Sequence, residues 1–294
     1  MTVTQREIDS QPEAWRRALA LAADAGQALA APGERALILG CGTSWFVGQA
    51  VAALREGAGL GETDCVCASE YRPGRRYDRV VAVTRSGTTT EVLDALRSVP
   101  VGARRVAVTA VPGEPVDDLV DERVLLDFAD ERSVVQTRFP TSVLALALAA
   151  AGADGVDGLP DAAAEAVAAP LPVDPERFAH FVFLGTGWTV GLAHEAALKV
   201  REAAQGWAES YPAMDFRHGP VAVAGARSLV WSFGRPVAGM DATVAGAGAT
   251  GYADERHPLA QLVLAQRLAV ALAGVRGLDP DAPRRLTRSV VLDG

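Results

Sequence analysis

The densest run of potential ligand groups in the sequence is Thr84-Arg85-Ser86-Gly87-Thr88-Thr89-Thr90-Glu91, with five hydroxyls in seven positions. It follows an apolar run and precedes a helical pattern. Such a turn offers unpaired backbone N–H groups, the positive end of a helix dipole and several O–H donors together, which suits a phosphate dianion. One Ser or Thr is enough for an ordinary N-cap, so the surplus favours Thr84, Arg85, Ser86 and Thr89 as an anion-binding turn. A second turn, Gly40-Cys41-Gly42-Thr43-Ser44, has two glycines that permit close backbone approach. It is too short for a dinucleotide fingerprint and is followed by Trp45; alone it reads equally well as a plain strand-to-helix turn.

Proton-transfer chemistry has one candidate stretch. Glu195, Lys199 and Glu202 in EAALKVRE are spaced i, i+4, i+7, which puts two carboxylates and an ammonium on one helical face. By spacing alone this is more often a solvated face with intrahelical ion pairs, and His218 in RHGP is by default a surface histidine.

The elements that must hold these groups follow an alternating pattern. Apolar runs at 35–40 (RALILG), 64–68, 79–84 (RVVAVT), 105–110 (RVAVTA) and 123–128 read as strands, and 44–56 and 91–98 as helices between them. That is the pattern of βα units feeding a parallel sheet. Gly, Asp and Pro enrichment at 152–160 and the Ala169-Pro170-Leu171-Pro172 break place a boundary there, giving domains 1–172 and 173–294. The second half restarts with a strand at 181–185, a helix from 190 to about 210 and a strand at 228–233. LILGCGTS in one half and VFLGTGWT in the other suggest a diverged duplication.

Composition bounds the function. With 294 residues, 49% of them hydrophobic, the chain can fill two ordinary cores. A formal net charge of −8 argues against a nucleic-acid partner, which calls for a basic surface. No uncharged apolar run reaches the roughly 18 residues of a membrane span, and residues 1–9 lack a signal-peptide core. Cys41, Cys65 and Cys67 form neither an even framework nor a CxxC pair, which fits a reducing compartment; they read as small buried hydrophobes. The expected location is the cytoplasm. Four histidines and three cysteines show no ligand spacing, so no metal or other cofactor is expected.

At these motifs the chain resembles the tandem SIS (sugar isomerase) family, and within it the isomerase part of glucosamine-6-phosphate synthase. The resemblance runs through Glu7-Ile8 with Gln11-Pro12, CGTS at 41–44, Ser69-Glu70-Tyr71, SGTT at 86–89, Glu131-Arg132-Ser133-Val134, EAALKVRE at 195–202, HGP at 218–220 and Pro283-Arg284-Arg285-Leu286. It implies an α/β fold of two SIS domains, each a flavodoxin-like parallel sheet with helices on both faces, the second reduced. It further implies that Thr84, Arg85, Ser86 and Thr89 hold a sugar phosphate with help from Thr43 and Ser44, and that Glu202 moves the proton between C1 and C2. His218 would assist ring opening, reaching the site from the neighbouring subunit of a homodimer. Glu195 and Lys199 would line the site and Val134 would contribute backbone contacts. The chemistry agrees: isomerisation needs a tunable carboxylate base α to a carbonyl, and an ammonium one turn away can stabilise an enediolate oxygen.

Two departures matter. No glutaminase domain precedes the motifs, so glutamine is not the expected nitrogen donor. The family's imine-forming lysine corresponds to Arg288, and arginine stays protonated, so a Schiff-base route is not expected. The expectation is therefore an aldose-ketose isomerase or an amino-sugar phosphate deaminase or deglycase acting on a hexose 6-phosphate. The alternative is a phosphosugar sensor without turnover, favoured by Arg288 and disfavoured by retention of Glu202, Lys199 and His218.

Overall fold

A computed structural model describes residues 1–29 and 31–292. Three helices, α1 (Val3–Asp9), α2 (Gln11–Ala20) and α3 (Ala22–Leu29), precede the first strand. Strand β1 (Ala36–Gly40) is apolar and buried along its whole length, as a strand covered on both faces of a parallel sheet must be. With β2 (Thr63–Cys67), β3 (Arg79–Val83), β4 (Arg104–Thr109) and β5 (Glu122–Leu125) it forms a parallel sheet of order β2-β1-β3-β4-β5. Helices α4 (Thr43–Gly57), α5 (Thr90–Ser98) and α6 (Arg138–Ala150) lie between or after these strands, and α7 (Leu159–Ala168) lies between the Gly/Asp/Pro-rich stretch at 152–160, whose end it overlaps, and the break at 169–172.

The second sheet is built from β6 (His180–Gly185), β7 (Trp207–Pro212), β8 (Ser228–Ser232) and β9 (Thr250–Ala253), with helices α8 (Thr189–Ala204), α9 (Met240–Gly246) and α10 (Pro258–Val275). Its order, β7-β6-β8-β9, repeats that of the first sheet without a fifth strand among the described residues. The expected pair of flavodoxin-like sheets, the second reduced, is what the structure shows.

One boundary differs. The helix expected to run to about residue 210 stops at Ala204, because Gln205 takes a left-handed conformation with φ 50°. The Gln205 amide then donates to Arg201 O at 3.2 Å and Gly206 N to Val200 O at 3.1 Å. A Cβ at position 206 would come 2.6 Å from Val200 Cγ1, so the glycine permits this close. The chain then pairs as edge strand β7 beside β6.

Helix α10 has the length of a membrane span, with a mean hydropathy of 1.5, yet it is a core helix. It packs mainly against α8 and α7. Its buried Gln266 joins the Gln11 amide at 2.8 Å, and Arg267 donates to the carbonyls of Ala166 and Ala169 that end α7.

Two features position the chemistry. In the order β2-β1-β3 the chain reverses direction across the sheet between β1 and β3, the switch point where ligands settle at the carboxyl ends of strands. Secondly, α4 and α8 cross closely at Gly191, where an added Cβ would come 2.4 Å from Phe46 O and 2.9 Å from Ala50 Cβ. That approach brings the first turn of α4 against the face of α8 carrying Glu195 and Lys199.

Candidate active site

The loops after β1 and β3 enclose a small cavity of about 40 Å3, lined among others by Ser44, Thr84, Ser86 and Thr89. Gly87 sits at φ +69°, and a Cβ there would come 2.8 Å from Glu114 Cβ, so the turn needs its glycine. Thr89 is the N-cap residue of α5 but makes no side-chain capping bond. Gly42, with φ 52°, occupies the same place before α4 and has no side chain to offer. Both helix N-termini therefore face the cavity without intrahelical caps, and the ordinary reading of the hydroxyl run as a cap does not describe it. Within the turn, Gly87 N donates to Thr84 Oγ1 at 3.3 Å and Thr88 N to Ser86 Oγ at 3.3 Å.

Arg85 is buried, and two of its guanidinium nitrogens reach backbone oxygens, Nη1 donating to Ser133 O at 2.9 Å and Nη2 to Arg288 O at 2.8 Å, while Nε has no partner. It forms a wall of the cavity while joining the turn to two other segments. Arg288 also lines the cavity, and its own guanidinium pairs with Asp130. The chain after α10 thus returns to the first sheet. Thr90 N donates to Val290 O at 3.1 Å, Leu292 N to Thr90 Oγ1 at 3.0 Å, and Thr88 Oγ1 lies 2.9 Å from Ser289 Oγ.

Beside the cavity lies a buried charge cluster. Lys199 Nζ is 2.5 Å from Glu202 Oε2, 3.2 Å from Glu195 Oε1 and 3.0 Å from Thr43 Oγ1. Thr43 in turn donates to Glu195 Oε1 at 3.3 Å. The side chains of Lys199 and Glu195 are each 1% exposed, while that of Glu202 is 19% exposed. The stripe is not the solvated face that spacing alone favoured. Burial pushes Glu195 up to about 7, against the pull of Lys199, and its second oxygen, Oε2, has no partner. Burial opposes the charge on Lys199, but Glu195 and Glu202 outweigh it and hold the ammonium above its usual range. Glu202 is the member of the three that reaches solvent.

The loop carrying Val134 is pinned by two acids that sequence reasoning did not assign. Glu7 accepts from Arg132 N at 2.6 Å and from the Ser133 hydroxyl. Glu131, fully buried and raised by that burial, accepts from Thr137 N, Thr137 Oγ1 and Arg138 N at the start of α6. Val134 is half-buried. Gln136 and Cys41 line the cavity and were likewise not anticipated; Gln136 lies two residues beyond the quoted motif, which was the available signal. Burial pushes the Cys41 and Cys65 thiols up to about 12, so they behave as small apolar groups, though all three cysteines are half-buried.

His218 is not brought to the cluster. It is exposed at the end of a turn, Asp215–His218, after β7, in which Phe216 is buried. A larger cavity of about 630 Å3 opens at the opposite ends of β3 and β4, among Tyr71, Arg76, Tyr77 and Val101, and none of the candidate residues reaches it. Among the described residues no group of three His, Cys, Asp or Glu side chains is placed to hold a metal ion.

Comparison with known proteins gives the same picture. No protein-family model matches the sequence. The glutamine–fructose-6-phosphate aminotransferase [isomerizing] of Aeropyrum pernix is 31% identical over 90% of this chain and 52% of its own length, and that of Caulobacter vibrioides is 30% identical over 98% and 58%. The chain spans about half the length of the curated relatives it matches, and the matching half is their isomerase part. The chain has the fold of two SIS domains in tandem. Solved SIS structures share the fold over almost the whole length. Glucosamine-6-phosphate deaminase from Thermotoga maritima superposes with a TM-score of 0.82 at 24% identity, covering 99% of this chain and 100% of that one. Tagatose-6-phosphate ketose/aldose isomerase from Escherichia coli gives 0.76 at 21% identity, covering 99% and 96%. Within this fold the first sheet holds the hydroxyl-lined turn, and α8, leading out of the second sheet, holds the acid–lysine cluster.

Proposed function

We propose that the chain is an aldose-ketose isomerase or an amino-sugar phosphate deaminase or deglycase acting on a hexose 6-phosphate such as fructose or glucosamine 6-phosphate. The observation that carries this reading is the pair Thr43–Ser44. Ser44 lines the anion cavity while its neighbour Thr43 is hydrogen-bonded to both Lys199 and Glu195. A phosphate seated in the cavity is therefore held next to the cluster that supplies a base.

The phosphate would be gripped by the hydroxyls of Ser44, Ser86 and Thr89 and by amides of the turn, with Thr84 shaping the loop and Arg85 fixing its wall. Glu202, the most solvent-accessible of the three ionisable groups, is the base that removes a proton α to the carbonyl and returns it one carbon away. Lys199 offsets the charge developing on the enediolate oxygen. Glu195, neutral for part of the time near pH 7, leaves Lys199 paired mainly with Glu202. His218 would come from the neighbouring subunit of a homodimer, Val134 would offer backbone contacts to the sugar, and Arg288 would serve as an anion ligand. Division into domains 1–172 and 173–294 follows the change of sheet, and the cytoplasm is the compartment where such a substrate is found.

Solvent deuterium should enter C1 or C2 of fructose or glucosamine 6-phosphate with the wild-type chain and fail to do so with Glu202→Gln. Exchange undiminished in the variant would overturn the assignment. A second reading, a phosphosugar sensor without turnover, is favoured by one feature: Arg288, in the place of an imine-forming lysine, is paired with Asp130. Binding of these sugars with neither exchange nor ammonia release would establish that reading instead.

A further inference from the structure

Glu7 is buried and does not line the anion cavity, yet it joins the two ends of the chain to the cavity wall. The backbone from 131 to 137 is irregular, so its amides have no ladder partners and need acceptors from elsewhere. Glu7 supplies them. Its carboxylate accepts from Arg132 N at 2.6 Å, from Ser133 N at 3.4 Å and from the Ser133 hydroxyl. The carbonyl of that same Ser133 takes Nη1 of Arg85, which lines the cavity. The helix carrying Glu7 is itself fastened at its start, where Asp281 accepts from Val3 N at 2.5 Å, Thr4 N at 2.7 Å and Thr4 Oγ1 at 2.7 Å. Asp281 belongs to the segment after α10 that goes on to offer Arg288 O to Nη2 of Arg85. A closed circuit of hydrogen bonds, from the tail through α1 and the loop at 132–133 to Arg85 and back to the tail, holds the guanidinium in place.

We propose that Glu7 is a positioning residue for the anion cavity: it fixes Ser133 O and through it the Arg85 guanidinium, so that phosphate affinity depends on an acid outside the cavity. This rests on the phosphate site of the reading above. Position and charge act with opposite signs. By charge alone, removing an acid from the neighbourhood of an anion site tightens anion binding. That effect is the smaller one here: burial pulls the Arg85 guanidinium below its usual range, and among the acids that oppose this Glu7 comes after Glu131 and Asp130. Its hydrogen bonds to the loop, in contrast, are direct. Loss of Glu7 therefore weakens phosphate binding.

Calorimetric titration of the full chain with inorganic phosphate and with a hexitol 6-phosphate, which has no carbonyl to react, tests this. Glu7→Ala should bind both about tenfold more weakly, the worth of one hydrogen bond from a charged donor, at the wild-type stoichiometry. A merely structural role would instead lower the stoichiometry through an unfolded fraction and leave Kd as it was. In the Arg85→Lys background Glu7→Ala should cost only about threefold or less, because a single donor centre does not span Ser133 O and Arg288 O and the link is already cut. Ser133→Ala, which removes only the hydroxyl bonded to Glu7, should weaken binding about threefold and decides the matter if Glu7→Ala does not fold. An unchanged or tighter Kd in Glu7→Ala, or in Ser133→Ala where that variant must stand in, overturns the role of Glu7 and leaves the phosphosugar reading standing. So do losses that add in full in the double variant. If the wild type binds neither probe, both fall.

Discussion

Thr43 and Glu195, separated by 152 residues, meet at 3.3 Å across the contact between the first helix after β1 and the first helix after β6. Lys199 donates to the same Thr43 oxygen, so the hydroxyl is at once donor and acceptor. This contact joins the two halves: the hydroxyl-lined turn belongs to the first sheet, and the Glu195–Lys199–Glu202 cluster to the helix leading out of the second.

Removing the ammonium from this cluster should be expensive. In Lys199→Met the carboxylates of Glu195 and Glu202 lose their shared counter-charge within a buried site, a change that costs about 3 kcal/mol or more. Urea denaturation near neutral pH should show a midpoint lowered accordingly, together with loss of deuterium exchange into substrate. A variant as stable as the wild type would show that the cluster is far better solvated than its burial indicates.

Glu195 gives stability a pH dependence of defined sign. In the fold it keeps its proton up to about pH 7, while an exposed glutamate releases it near 4.5. Between those values the folded chain binds more protons than the unfolded one, so this group's contribution falls as pH rises through the window and levels off above it. Glu195→Gln cannot ionise and lacks the effect. The stability of wild type minus that of Glu195→Gln, followed by denaturation at a series of pH values, should decline between about 4.5 and 7. A difference that stays flat or rises there would contradict the burial-raised carboxyl.

The anion turn makes a simpler prediction. Ser86→Val and Thr89→Val put apolar groups where hydroxyls face the cavity. The upward shift in melting temperature that a hexose 6-phosphate gives the wild type, which grows with ligand concentration over Kd, should disappear in both. A thermal-shift titration checks it, and an unchanged shift would put the anion elsewhere.

Much of this was legible in the sequence, for identifiable reasons. All five strands of the first sheet were located: β1 and β3 are buried throughout and β4 over its last four residues, while β2 and β5 are only partly buried; the hydroxyl surplus at 84–90 likewise exceeded what a cap requires. What the sequence hid depends on neighbours distant in the chain. Strand β7 is an edge strand with few buried positions, so no apolar run marked it and the preceding helix was extended through it. The spacing of Glu195, Lys199 and Glu202 says nothing of burial; it is the crossing of α4 on α8 at Gly191 that takes them out of water. Glu7, at the other end of the chain, gave no local sign that it would fasten the loop of Val134.

Arg85 yields the last prediction, because it binds no carboxylate among the described residues and yet is buried. Its two donors hold the carbonyls of Ser133 and Arg288, and each hydrogen bond from a charged donor contributes about 1.5–3 kcal/mol. Arg85→Lys keeps the charge but offers a single donor centre in place of a planar fork, so it cannot span both carbonyls. The segment from Arg288 to Leu292 should then open more often. The amides of Thr90 and Leu292, which bond to Val290 O and Thr90 Oγ1, should exchange hydrogen about tenfold faster or more. Those of Val106 and Val108 in the sheet interior should exchange as before. Because Arg288 itself lines the anion cavity, the same variant should bind inorganic phosphate more weakly. If the terminal amides exchange at wild-type rates while phosphate binding falls, Arg85 acts on the anion directly and is not the fastening between turn and tail.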